Sequence, residues 1–131
     1  MDVKKVCAGL CVLLVLWGCE TVEINKPSLE GRYIGYFNRS GGDTADVALE
    51  FIDQKFEGES AEARYPAIGK GVFRQTENSI EFIDSSRWAA DFDPSLVLAG
   101  QFNFKKNHDG TIRIWKETGK AIDELILRRT H

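Results

Sequence analysis

The chain has three cysteines, Cys7, Cys11 and Cys19, and all of them fall near its start. Everything after Cys19 is free of thiols, so that part holds no disulfide, no thiolate nucleophile and no cysteine-bound zinc. Histidine is almost as scarce. His108 falls in a turn and His131 lies far from it in sequence, which gives neither zinc-site nor triad spacing. Charge of neither sign dominates: 17 Lys and Arg stand against 20 Asp and Glu, mixed along the chain. No basic stripe marks a nucleic-acid binder. Asp91 and Asp93 offer two carboxylates where calcium takes about six to eight oxygens, so no metal is expected. Gly69-Lys70-Gly71 lacks the rest of a phosphate loop and reads as strand glycines at a bend. These absences leave no catalytic set and no cofactor, and the chain is not expected to be an enzyme.

The longest uncharged apolar run, Val6–Trp17, also falls short of the roughly 20 residues that span a bilayer. It follows Lys4 and Lys5 and precedes Gly18-Cys19, the charged and apolar regions of a secretory signal peptide. Leu16-Trp17-Gly18-Cys19 resembles the lipobox of bacterial lipoproteins, with Trp17 in place of the usual small residue. The resemblance implies cleavage before Cys19 and acylation of Cys19, which makes the membrane a partner. Glu20 rather than Asp follows the cysteine. By the same resemblance this implies the outer membrane, on a leaflet the sequence does not specify. Residues 1–18 are then a leader and 19–28 a polar tether with Pro27 near its end. Loss of Asp2, Lys4 and Lys5 with the leader takes the net charge from −3 to −4.

From Leu29 the dominant pattern is alternation, the spacing that sends successive side chains to opposite faces of a strand. Strands are expected at 31–37, 45–52, around 56–60, and at 68–75, 79–84, 99–105, 111–116 and 123–129. Polar turns separate them, the clearest being Asn107-His108-Asp109-Gly110. Only 85–91 has anything of a helical period. About eight short antiparallel strands over residues 29–131 make one all-β domain, a meandering β-barrel in preference to a β-sandwich. Closure removes both sheet edges, which little else in the chain is available to cover.

Glu30-Gly31-Arg32-Tyr33 resembles the Gly-x-Trp opening of the calycin superfamily, which includes the lipocalins. The resemblance implies that Tyr33 stands for the first-strand Trp and that Arg128 or Arg129 supplies the last-strand Arg that packs under it. It also implies a barrel that binds a small apolar or amphipathic ligand. The irregular segment Arg87–Leu96 is the richest in side-chain chemistry. Trp88 and Phe92, with Arg87 for polar contact, are the candidate mouth of such a site, together with Tyr33. The opposing expectation for this segment is a plug that closes one barrel end. Two functions follow: a lipid-anchored lipocalin-like binder, or a packed scaffold acting as an envelope interaction or inhibitor module.

Overall fold

The structure, a computed structural model, describes residues 29–89 and 91–130. The leader, Cys19 and the tether lie outside the described residues. Eight strands follow in order: β1 (Gly31–Arg39), β2 (Thr44–Ile52), β3 (Lys55–Ser60), β4 (Lys70–Gln75), β5 (Ser79–Asp84), β6 (Gly100–Lys106), β7 (Ile112–Thr118) and β8 (Ala121–Arg129). Each pairs antiparallel with the next, and β8 pairs back onto β1 to close the barrel. The expected barrel is therefore the architecture. The helical period over 85–91 is not realised: residues 85–89 are irregular, and the only helical turn among the described residues of this connection is a 3₁₀ turn at Pro94–Leu96.

Alternation explains the interior. On β2, Ala45, Val47, Leu49 and Phe51 are buried, while Thr44, Asp46, Glu50 and Ile52 are exposed. The same phase puts Tyr33 and Phe37, Phe73, Ile80 and Phe82, Phe102 and Phe104, Ile112 and Ile114, and Leu125 and Leu127 inside. Rings meet edge to face across the middle. Phe51 lies 4.9 Å from Phe73 and 5.6 Å from Tyr33, and Phe82 lies 5.0 Å from Phe56 and 5.5 Å from Phe102. Such pairs contribute about 0.5–1.5 kcal/mol each beyond the area they bury. An apolar inside and a charged outside is the reverse of a barrel whose strands cross a membrane.

A barrel this small bends its strands sharply, and glycine permits two of the closest approaches. A Cβ on Gly35 would lie 1.8 Å from the carbonyl oxygen of Ile126, and one on Gly71 would lie 2.0 Å from that of Ile83. Gly71 is thus a strand glycine as expected, required by a close backbone approach, while Gly69 falls in the connection ahead of β4 rather than in a strand.

The meander gives the barrel two unlike ends. At the entry end, Leu29 leads into β1, and tight turns join β2 to β3, β4 to β5 and β6 to β7. The Leu29 amide donates to Gln75 Oε1 (2.9 Å), which draws the entering chain over the interior. In the Asn107–Thr111 turn, Asp109 Oδ1 accepts from the Thr111 amide (3.0 Å) and hydroxyl (2.7 Å). At the loop end lie the two long connections, 61–69 and 85–99. They join through a parallel bridge between Ala67 and Val97, with the Ala67 amide donating to Leu96 O and the Leu98 amide to Ala67 O, both at 2.9 Å.

Candidate functional site

The loop end carries a polar cluster inside an otherwise apolar barrel. Arg39 is in phase with Tyr33 and Phe37, Lys116 with Ile112 and Ile114, and Asp123 with Leu125 and Leu127, so all three point inward. Strand register sets Asp123 opposite Arg39 on one side and Lys116 on the other. Asp123 is 3% exposed. Arg39 grips it with both ends of the guanidinium, Nε to Oδ1 at 2.6 Å and Nη2 to Oδ2 at 2.9 Å. Bidentate pairing of this kind is the strong form of the ion pair. It holds the Arg39 pKa above its ordinary value, because the carboxylate favours the charged form. Lys116 Nζ donates to Ala99 O (3.3 Å) and sits 4.5 Å from the centre of the Phe102 ring. Burial pushes the Lys116 pKa down, against the pull of Asp123.

What Arg39 does with its other hydrogens defines the cluster's task. Nη2 also donates to Ser95 Oγ (3.0 Å) and Ser95 O (3.3 Å), and Nη1 reaches Asp93 Oδ2 (3.3 Å). Asp93 caps the 3₁₀ turn, accepting from the Ser95 amide (2.9 Å) and hydroxyl (2.7 Å), and these bonds hold its carboxyl below the usual range. Arg39 is therefore a latch that ties the 93–98 segment to the barrel wall. Leu98 of this segment is buried, as are Ala67 and Ile68 of the connection it joins. The gap lined by Phe37, Pro66, Leu98, Phe102, Lys116 and Asp123 measures about 10 Å³, the space of roughly one water. Arg39 pairs with Asp123 and Asp93, Lys116 is held by Ala99 O and the Phe102 ring, and together they fasten a lid over a filled interior.

The candidate residues read from sequence do not converge. Tyr33 lies within the interior toward the entry end, opposite Leu49 and Arg129, its ring edge-on to Phe51. Burial raises its phenol pKa, and the charge of Arg129 partly counters the rise. Trp88 and Phe92 are at the other end and half-buried, 6.0 Å apart and edge to face. Trp88 Nε1 donates to Asp84 Oδ2 (2.8 Å), and its ring lies against Gly69. Arg64 stacks on Phe92 (4.8 Å) and pairs with Asp91 (2.7 Å). Arg87 is exposed. These two aromatics thus brace the outside of the long loop, while Leu96 and Leu98 of its second half cover the interior. Asp91 and Asp93 turn to different arginines, Arg64 and Arg39.

Sequence reading missed Arg39, Lys116 and Asp123. The signal was present in their phase with buried neighbours, since a charge at an inward position demands a partner. Open grooves lie on the outer wall. One of about 470 Å³ is lined by Ile34, Tyr36, Ile126 and Arg128, and another of about 540 Å³ by Ile52, Val72 and Ile83 among acidic and basic neighbours. No protein family matches this chain, and neither a curated protein nor a solved structure does.

Proposed function

We propose that this chain is a lipid-anchored cell-envelope protein whose closed barrel is a packed scaffold that works through its outer surface. The observation that carries the reading is the filled interior. Rings of six strands interlock through the centre, and the lined gap of about 10 Å³ compares with roughly 300–1,000 Å³ for a typical ligand site. A small apolar ligand held within the barrel has no such room. The anchor rests on the resemblance of Leu16, Gly18 and Cys19 to a lipobox, and Glu20 after the cysteine supports the outer membrane as its location.

Mass spectrometry of the full chain, purified from membranes in mild detergent, tests both halves. Under denaturing conditions the expected mass begins at Cys19 and includes acyl chains. A mass beginning at Met1 overturns the anchor. Under native conditions the expected mass is that of the same acylated chain alone. A reproducible small molecule lost on unfolding overturns the packed scaffold and restores the lipocalin-like binder.

A further inference from the structure

Cations that alternate with acids along the sequence are sorted by the barrel. Lys105 of β6 pairs with Arg113 of β7, Arg113 with Ile126 of β8, and Ile126 with Tyr36 of β1. One step toward the entry end, Arg128 pairs with Ile34. All these side chains are out of phase with the buried positions of their strands and so share the outer wall. Arg32, Lys106 and Arg129 are exposed at the same end. Within this basic border, Ile34 is 47% and Tyr36 41% exposed. Acids border the face as well: Glu124 is engaged by Arg113, Asp109 lies close enough to Arg128 to feel its charge, Glu50 stands opposite Arg32, and Asp46 closes the far end of the row. Arg32 marks the boundary with the neighbouring wall, where it shares an open groove with Glu50, Glu57 and Glu59.

We infer that the outer face of β6, β7, β8 and β1 is the side on which the domain lies against an anionic lipid bilayer. The inference rests on the lipid-anchored reading above. An apolar centre inside a cationic rim is the composition that settles at a bilayer interface, where each Lys or Arg near an anionic surface contributes about 1 kcal/mol. Tyr36 suits that depth, with an apolar ring and a polar tip. Chain length agrees. Residues 19–28 reach at most roughly 33–36 Å when fully extended, and they deliver the chain to β1, which itself carries Arg32, Ile34 and Tyr36. The other exposed apolar set, Ile52, Val72 and Ile83, lies in a groove where Glu50, Asp53 and Glu57 outnumber Lys55 and Lys70, a net acidic rim that an anionic surface disfavours.

The test uses the full chain with one added thiol, Ile34→Cys or, as the control on the opposing wall, Ile83→Cys. Each carries an environment-sensitive fluorophore and is reconstituted into vesicles of phosphatidylethanolamine, alone or mixed with phosphatidylglycerol. The expected result is blue-shifted, brighter emission at position 34 in the anionic vesicles, reversed by high salt, with position 83 unchanged. Adding Lys105→Glu and Arg128→Glu abolishes the shift. An equal response at 34 and 83, or none at 34, overturns the inference, and so does a response at 34 to duplex DNA without one to vesicles. Intact mass and vesicle flotation report the anchor separately. An acylated chain that floats while position 34 stays in water loses the face and keeps the anchor. A chain without acyl mass loses the anchor, and the same variant with Cys7→Ser, Cys11→Ser and Cys19→Ser added, labelled at position 34 alone, still decides the face on added vesicles.

Discussion

Replacing Phe82 with alanine removes a ring on which three others converge. Phe82 is 1% exposed, with Phe56 at 5.0 Å, Phe102 at 5.5 Å and Phe51 at 6.5 Å. Buried Phe→Ala changes cost about 3–5 kcal/mol, combining lost transfer energy with the cavity left behind. Two edge-to-face pairs are lost here, and a closed barrel wall collapses poorly, so the upper half of that range is expected. At about 4–8 °C per kcal/mol for a domain of this size, Tm falls by roughly 16–40 °C. The void is apolar and ring-shaped, and such cavities stay dry and bind benzene. Benzene at about ten times its Kd then restores roughly 1.4 kcal/mol to the variant. Thermal unfolding of wild type and Phe82→Ala, with and without benzene, measures both effects, and Phe82→Leu serves where the alanine variant does not fold. A loss below about 1 kcal/mol, or a wild-type Tm that benzene raises just as much, refutes the packed interior.

Four other perturbations probe the latch and the bends. Asp123→Asn breaks the bidentate pair; Arg39 keeps 22% exposure, so the expected cost in urea unfolding is about 2–3 kcal/mol rather than the 3–5 of a fully buried pair, with faster amide exchange at Val97 and Leu98. Lys116→Met removes an amine whose pKa burial depresses. Because the folded state resists protonating that amine, wild type gains stability as pH climbs toward the ordinary lysine value of 10.5, and the methionine variant lacks this gain. Tyr33, with its raised pKa, opposes that trend above pH 10.0 in both proteins, so the difference between their denaturant midpoints isolates Lys116. Gly35→Ala sets a Cβ 1.8 Å from a backbone oxygen and is expected to cost more than about 3 kcal/mol by thermal melt, or to prevent folding. Gln54→Gly relieves a non-glycine residue at φ 64° and is expected to raise stability by up to about 1 kcal/mol in the same assay.

The strands were legible because their information is local. On β2, Val47, Leu49 and Phe51 declare an inner face, and Asp109-Gly110 declares a turn, without reference to any distant residue. Barrel closure also followed, since eight short strands with little else to cover their edges favour it. The latch was not legible in the same way. Arg39 and Asp123 are 84 residues apart and become neighbours only when β8 meets β1. Each then reads as an ordinary charge near a strand end, although its phase with Phe37 or Leu125 marks it as inward. The aromatics Trp88 and Phe92 drew attention to the long loop, yet its closing contacts come from Leu96 and Leu98. Composition marks a segment as unusual, while register decides which of its residues face the interior. The basic face shows the same limit, because its cations come from four strands and no window of sequence contains them together.

The seam between β1 and β8 also has a consequence in time. Gly31–Arg39 acquires its second neighbour only from Ala121–Arg129, the most distant pairing in the fold. A chain delivered from its N-terminus therefore waits as an open, curled sheet with two bare edges until the eighth strand arrives. Pairings of such long separation make folding slow, and the unfinished sheet is a template for sticking to its neighbours. The last strand is thus a quality checkpoint: a chain stopped after Thr118 keeps every buried aromatic residue of the core and has no seam to seal them in.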